Sequence, residues 1–160
     1  MQYTVEQNEI KSIVIDSVGE HVINLVGPGA EVHVSGVFQT IDKEDKAIVV
    51  IIHHQAPHTR ATTTLKGVAD DYSRISFTGR IIINKNCGDT NSFLTERILL
   101  LSDHAKAEAV PDLEIMTDDV KCSHAASISR IPEEHLFYLM SRGLNREAAE
   151  QLIVEGFLTL

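Results

Sequence analysis

The sequence predicts an all-β protein that ends in two short helices. From about residue 11 to residue 131, short runs rich in Ile, Val, Leu and Thr alternate with turns that contain Gly, Asp or Asn. After Ile131 the apolar spacing changes from the two-residue period of strands to the period of a helix. This pattern leaves a sandwich, a jelly roll and a solenoid open as architectures.

The first third of the chain has the pattern of half-buried strands. Val32 and Val34 lie two residues apart, with His33 and Ser35 on the opposite face. The preceding segment GPGA, residues 27–30, lacks the Lys-Ser/Thr of a phosphate-binding loop, so we interpret it as a tight turn.

The segment AIVVIIHH, residues 47–54, is continuously apolar before its two histidines, which predicts a strand covered on both faces in the middle of the fold. Strand starts recur at intervals of about 14 to 20 residues, without a strict repeat. Further strands are predicted at residues 60–68, 74–83, 91–101 and 111–116.

The C-terminal segment has the signals of a helical hairpin, with helices at about residues 132–142 and 145–158. Pro132 suits a first helical turn, Gly143 ends the first helix, and Asn145 can cap the second. We therefore expect a β core over residues 1–131 and a hairpin over residues 132–160. The apolar stripe predicted for the second helix consists of Ala149, Leu152, Ile153, Gly156 and Phe157.

Composition excludes several classes of function. Hydrophobic residues make up 43% and charged residues 23% of the 160-residue chain, as in ordinary globular proteins. The net charge of −9 disfavours nucleic acid as a partner. No apolar run is long enough for a membrane span, and no signal peptide is visible. With only two cysteines, the sequence indicates a reducing cytoplasm.

Cys122 and His124 form the strongest candidate chemical site. In a strand, side chains two residues apart point to the same face, so a thiol and an imidazole would lie side by side. This pair suits a transition metal or transferable sulfur, but two ligands do not complete a tetrahedral site. Asp118, Asp119 and His135 are nearby in sequence, and a partner chain is an alternative source of ligands.

A second candidate site is the histidine cluster of His53, His54 and His58. It would suit a small metal-dependent β-fold enzyme, such as a cupin-like oxygenase, although the His-x-His pair with a following Glu is missing. Adjacent histidines in a strand point to opposite faces, so the alternative is a corner in which these side chains are hydrogen-bonded structurally. The other cysteine, Cys87, lies in a polar turn and is expected to be an exposed thiol without function.

Several segments in a fixed order resemble one family. They are HHQAPHTRATTTLKGVADDYSRISFTGRIII from His53, ILLLSD from Ile98, PDLEI from Pro111, DDVKCSH from Asp118 and LFYLMSRG from Leu136. Together they resemble the C-terminal part of the SufB/SufD family, scaffold proteins of the Suf iron–sulfur cluster assembly system, with details closer to SufD. The resemblance covers roughly residues 50 to 158.

The resemblance implies both a fold and a function. The fold would be a right-handed parallel β-helix with the C-terminal hairpin, and the function a non-enzymatic scaffold that binds iron or an iron–sulfur cluster transiently. The implied partners are a SufC-like ATPase and a SufB-like scaffold. By the same resemblance, Cys122 and His124 lie near the junction of two scaffold subunits, where a nascent cluster is bound.

Homodimerisation is the simplest closed assembly for a short β-helix with free strand edges. We expect the hairpin to dock the ATPase through apolar side chains of its first helix. These are Leu136, Phe137, Leu139 and Met140.

The chain departs from the family pattern in three places. Family members are typically more than twice as long, so this chain corresponds to a short form or to the C-terminal part alone. SHAAS, residues 123–127, replaces the SHGAT that is usual in SufD. Glu96 stands where SufB carries a cysteine, which disfavours a SufB-like sulfur-accepting role. An idle, purely structural β-solenoid that self-associates is the remaining alternative.

Overall fold

The structure, a computed structural model, describes residues 1–159 and contains ten strands followed by two helices. The predicted hairpin extends to Leu160, which lies outside the described residues. The strands are β1 (Gln2–Val5), β2 (Ile10–Ile15), β3 (Gly19–Leu25), β4 (Glu31–Thr40), β5 (Asp45–His54), β6 (Arg60–Ala69), β7 (Arg74–Ile83), β8 (Thr90–Leu100), β9 (Lys106–Ile115) and β10 (Val120–Arg130). The helices are α1 (Glu133–Ser141) and α2 (Arg146–Leu158).

The strands alternate between two parallel sheets. The first sheet has the order β1-β3-β5-β7-β9 and the second the order β10-β8-β6-β4-β2. Every described strand pair is parallel, and each turn of the chain adds one strand to each sheet. The architecture is therefore a β-solenoid, which confirms the prediction based on the family resemblance and excludes the sandwich and the jelly roll.

The solenoid has a regular repeat that the irregular spacing of the predicted strand starts in the sequence did not reveal. Asp45 pairs with Arg74 and Arg74 with Lys106, which gives offsets of 29 and 32 residues between turns. The residue offset between β1 and β3, the first two strands of this sheet, is shorter, since Gln2 pairs with Val22. The repeat contains two strands, so it becomes visible only when every second strand is compared.

Side chains that point between the two sheets form ladders from turn to turn. Ile23, Ile52 and Ile81 occupy equivalent positions in β3, β5 and β7, and all three are buried. Their counterpart in β9 is Leu113, which is 45% exposed. The interior is therefore well covered along most of the solenoid and uncovered at its C-terminal layer.

The prediction that residues 47–54 are covered on both faces is wrong. This segment lies in β5, the middle strand of its sheet as predicted, but only one face is buried. Ile48, Val50 and Ile52 point inward, whereas Val49 and Ile51 are half-buried on the outer surface. Among the described residues, the outer face of the sheet is only partly covered at these positions.

Residues with a left-handed backbone conformation form equivalent corners in successive turns of the solenoid. Asn8, Gly29, His58 and Asp89 have φ angles of 56°, 75°, 59° and 53°, and each precedes a strand of the second sheet. The backbone N–H of His58 donates to the Gly88 carbonyl in the next turn, at 2.9 Å. Because Asn and Asp tolerate positive φ better than most residues, these corners follow from the sequence.

The helical pair at the C-terminus is confirmed. Gly143 has a φ of 100° just after α1, and the Asn145 side chain accepts a hydrogen bond from the Ala148 N–H at 2.8 Å. The α2 helix contacts the outer face of the second sheet, where Lys66 and Arg97 lie 5.8 Å and 5.6 Å from the centre of the Phe157 ring. Neither described helix is long and apolar enough to cross a membrane.

The stripe predicted for α2 is partly wrong. Ala149 is buried and Ile153 and Phe157 are half-buried, but Leu152 is 49% exposed and Gly156 is also exposed. The three covered residues are spaced four apart, so they form one row along the helix. Val154, on the neighbouring row, is also half-buried, whereas Leu152 and Gly156 turn toward solvent.

The corner before β4 provides a stability test. A Cβ on Gly27 would lie 2.2 Å from the backbone nitrogen of Gln7 in the preceding turn, whereas a Cβ on Gly156 meets nothing within 4 Å. We expect Gly27→Ala to lower the free energy of unfolding by about 2 kcal/mol or more, because two backbone segments must separate. Gly156→Ala, the matched control in a helix, should raise it by roughly 0.5–1 kcal/mol.

Both values can be measured by urea unfolding followed by circular dichroism. Equal stability of the Gly27→Ala variant and the wild type would contradict the close stacking of these two corners.

Candidate functional site

Cys122 and His124 lie on the same face of β10, as their spacing predicts. Both side chains point inward, into the space between the two sheets. Cys122 is half-buried and packs against the hydrophobic core, and His124 aligns with Leu94 of β8. The structure thus brings a thiol and an imidazole together at the last layer of the solenoid.

The interior of the second sheet becomes more polar toward this layer. One ladder runs from Ile13 and Val34 through Thr63 and Leu94 to His124. The adjacent ladders likewise end in polar or small side chains at their last two positions. These are Ser92 and Cys122 on one side, and Glu96 and Ala126 on the other.

Glu96 forms a buried pair with His124. Its Oε2 lies 3.1 Å from the imidazole Nε2, and the two side chains are 0% and 3% exposed. The remaining polar atoms, Glu96 Oε1 and His124 Nδ1, are buried and have no hydrogen-bond partner within residues 1–159. Gly79 leaves the space for the pair, because a Cβ there would lie 2.7 Å from Oε1 and 2.8 Å from the His124 ring carbon Cε1.

Burial favours the uncharged form of each group at the site. It raises the pKa of Glu96 to about 7, and it lowers the pKa of His124 below its ordinary value. Burial also raises the pKa of the Cys122 thiol. The imidazole is therefore in its metal-binding form, while the thiol must lose a proton before it can act as a ligand.

The sequence analysis missed the contact between Glu96 and His124. Glu96 was considered only as the residue that replaces a family cysteine. A signal was present, because Leu94, Glu96 and Ile98 follow the two-residue period of an inward face. A carboxylate between two buried aliphatic side chains requires a polar partner, but the sequence alone does not identify which one.

The other predicted ligands do not complete the site within one chain. His135 is exposed on α1, and Asp118 and Asp119 precede β10 in a turn. Among residues 1–159, no group of three or more His, Cys, Asp or Glu side chains is arranged to hold a metal ion. A complete coordination sphere would need ligands from outside the described chain.

The structure does not bring the three histidines of the second candidate site together. His53 points outward and its ring nitrogens lie 3.0 Å from Asn84 and Gln55 side-chain atoms. His58 is exposed at its corner, with Nδ1 3.0 Å from an Asp89 carboxylate oxygen. These contacts match the structural alternative and give no support to a metal-dependent enzyme site.

His54 points into the core and belongs to a buried polar network. Its Nδ1 lies 2.8 Å from the Thr59 hydroxyl and its Nε2 lies 2.9 Å from the Ser92 hydroxyl. Burial, together with the smaller effect of neighbouring His53, lowers the pKa of His54 to about 4. Both ring nitrogens are satisfied, so the imidazole joins the corner before β6 to strand β8.

The prediction that Cys87 is an exposed thiol is wrong. Its side chain is buried in the corner between β7 and β8, and burial raises its pKa. The corner is polar in sequence, but its backbone turns the cysteine inward onto the hydrophobic core.

The hairpin residues predicted for docking differ in their exposure. Leu136 is only 2% exposed and packs against the protein, so it is not available to a partner. Leu139 is half-buried, whereas Met140 is exposed and Phe137 is 75% exposed. Tyr138, which the sequence analysis did not name, is also exposed.

Comparison with known proteins identifies relatives along nearly the whole chain. The family model for the SufBD core domain of the SUF system for FeS cluster assembly matches residues 4–157. The iron–sulfur cluster assembly protein SufD of Bacillus subtilis is 33% identical over 143 residues, which is 89% of this chain and 33% of the relative. SufD of Escherichia coli is 40% identical over 92 residues, 58% of this chain and 22% of the relative.

A SufBD family protein of Pyrococcus horikoshii is 41% identical over 107 residues, 67% of this chain and 24% of the relative. The chain thus spans about a quarter to a third of the length of the curated relatives that it matches.

The buried histidine makes stability depend on pH. In the unfolded chain His54 takes up a proton near pH 6.5, but in the folded protein only near pH 4. Between these values the unfolded state binds more protons, so the contribution of His54 to stability is present above pH 6.5 and is lost as the pH falls toward 4. The loss is at most about 3 kcal/mol.

The measurement compares urea unfolding of the wild type and His54→Gln from pH 7.5 to pH 4. We expect the stability difference between them to shrink by about 3 kcal/mol as the pH falls, because ionisation of other groups is common to both proteins. A difference that stays constant over this range would contradict the buried, uncharged state of His54.

Proposed function

The chain belongs to the SufBD family, and from this premise we propose that it is a non-enzymatic scaffold in iron–sulfur cluster assembly. In this proposal residues 1–131 form the scaffold core, and residues 132–160 form a hairpin that docks a partner. The cluster, or its iron, is a cargo bound transiently at Cys122 and His124. We place this scaffold in the cytoplasm, and the free thiols of Cys87 and Cys122 suit such a reducing compartment.

The observation that carries the proposal is the position of the two ligands at an uncovered layer. β9 and β10 are the last strands of their sheets, and each pairs with one strand only in the described chain. Leu113, Ile115 and Ile128 are exposed at this end, although their equivalents in earlier turns are buried. The thiol therefore borders a surface that another protein layer could cover.

The donor set fits iron and sulfur chemistry. A thiol and an imidazole are ligands of iron–sulfur centres, and the His124 Nδ1 is a buried nitrogen without a partner in the part of the chain that the structure describes. The thiol must be deprotonated to bind, and a nearby cation would lower the pKa that burial has raised.

A second copy of the chain is the simplest cover for the open end. Free strand edges and exposed apolar side chains favour association, and a two-fold axis at this end would bring together two copies of Cys122 and two of His124. Four ligands complete a coordination sphere that one chain leaves half filled. A SufB-like scaffold that covers the same end would form the equivalent heterodimer.

The test is anaerobic reconstitution with ferrous iron and sulfide, followed by iron analysis and sedimentation. We expect wild-type protein to retain iron and to sediment as a dimer of the 17.7 kDa chain. The Cys122→Ser, His124→Ala double variant should lose most of the iron, because both proposed ligands are removed. Cys87→Ser serves as the control, because it removes the other free thiol and leaves Cys122 and His124 in place.

Equal iron content in wild type and the double variant would refute the site. A strict monomer at tens of micromolar protein, with or without iron, would refute the homodimer.

The hairpin supplies the second half of the proposal. Phe137, Tyr138 and Met140 expose apolar area on α1, and Leu152 exposes more on α2. The resemblance described above implies that this region contacts a SufC-like ATPase. The exposed side chains support that role, and we exclude Leu136 from it because its side chain is already buried.

Docking can be tested with exposed residues whose replacement leaves the fold intact. We expect Phe137→Ser combined with Met140→Ser to weaken binding of the SufC-like ATPase at least tenfold, because two apolar contacts are lost. Val14→Ser is the matched control, since Val14 is an exposed apolar residue on β2 near the other end of the solenoid. Calorimetry measures both variants, and unchanged binding by the double variant would contradict docking through α1.

A further inference from the structure

We infer that Glu96 is a positioning residue for His124: its carboxyl oxygen Oε2 accepts the Nε2–H of the imidazole and leaves the lone pair of Nδ1 available to a metal. This inference rests on the proposed function, because it assigns a role to the residue in direct contact with a proposed ligand. Glu96 itself is not a ligand in this arrangement.

The contact geometry fixes which imidazole nitrogen is engaged. Glu96 Oε2 lies 3.1 Å from Nε2, within hydrogen-bond distance, and both side chains are almost completely buried. The opposite nitrogen, Nδ1, has no hydrogen-bond partner among the described residues. One nitrogen is therefore held by the protein and the other is free.

The proton belongs on Nε2 because the alternative leaves a buried donor unpaired. If Nδ1 carried the proton, its N–H would have no acceptor, and an orphaned buried N–H is rare in proteins. With the proton on Nε2, the N–H donates to Glu96 and Nδ1 is an unprotonated acceptor. Only the second tautomer gives the imidazole a metal-binding lone pair at the unpartnered atom.

The surrounding residues hold the pair in this orientation. Gly79 on the opposite sheet leaves room that a Cβ would fill, and Ala126 is the small residue aligned with Glu96 on β10. Metal-binding histidines commonly donate their second N–H to a carboxylate, which fixes the ring and its tautomer. The contact between Glu96 and His124 has this form.

The first experiment examines the tautomer in metal-free protein. Nitrogen-15 NMR of protein labelled at histidine distinguishes a protonated Nε2 from a protonated Nδ1, and His124→Gln identifies the signals of His124. We expect His124 to carry its proton on Nε2. A proton on Nδ1 would overturn the inference whether or not the protein binds metal.

The second experiment measures the affinity for cobalt(II) alone, in the absence of sulfide. The absorption band of thiolate-bound cobalt reports that Cys122 is a ligand. We expect Glu96→Leu to bind cobalt roughly 10–100-fold more weakly than wild type, which is the usual cost of losing such a carboxylate. Glu96→Gln should keep most of the affinity, because its amide oxygen can still accept the Nε2–H.

Thr63→Val is the control for removing a buried polar atom, since the Thr63 hydroxyl is also buried without a partner. It should bind cobalt as wild type does. Circular dichroism checks that each variant is folded, and the NMR result stands even if Glu96→Leu does not fold.

The outcomes separate this inference from the proposed function. If wild type binds cobalt and Glu96→Leu binds equally well, the positioning role is wrong and the scaffold function stands. If wild type itself binds no cobalt, both the metal site and the role of Glu96 are wrong. Weak cobalt binding by Glu96→Leu, with affinity recovered in Glu96→Gln, supports both the metal site and the positioning role of Glu96.

Discussion

The inward ladders of side chains are the constraint on which the rest of this structure depends. Parallel strands place equivalent residues of successive turns directly above one another, so each buried side chain is covered by the next turn. Ile23, Ile52 and Ile81 show the consequence, since each is buried between its neighbours. A turn without a following turn cannot cover its own interior, as the exposure of Leu113 shows. The stability and the interaction surface of the protein thus have the same origin.

Much of the fold could be predicted from the sequence, because its local signals agree with the final structure. Asn145 caps α2 and Gly143 ends α1, as their residue types indicate. The solenoid itself followed from the family resemblance, because strand periodicity does not report which strands pair. The repeat of 29 to 32 residues is a property of pairing between every second strand, so local analysis could not detect it.

The candidate site shows the same division between local and tertiary information. The two-residue period correctly placed Cys122 and His124 on one face. It did not show that this face points inward, that Glu96 from β8 meets His124, or that Cys87 is turned into the core. The histidine cluster fails as a site for a local reason, because adjacent residues in a strand face opposite ways. His53 and His54 illustrate this, one hydrogen-bonded outside and the other inside the solenoid.

Stability alone does not explain the pair of Glu96 and His124. Burying two polar groups costs free energy, and here Oε1 and Nδ1 remain unpaired, whereas an aliphatic pair would fill such a site at no such cost. The chain places aliphatic residues at the equivalent positions of its first two turns, Ile13 with Val34, so the solenoid accepts them in these ladders. Glu96 and His124 occupy the two layers of the second sheet next to the open end, where Cys122 is also found. Two unpaired polar atoms next to a free surface are expected of a binding site, since a partner or a metal ion can satisfy there the atoms that the folded chain leaves without hydrogen bonds.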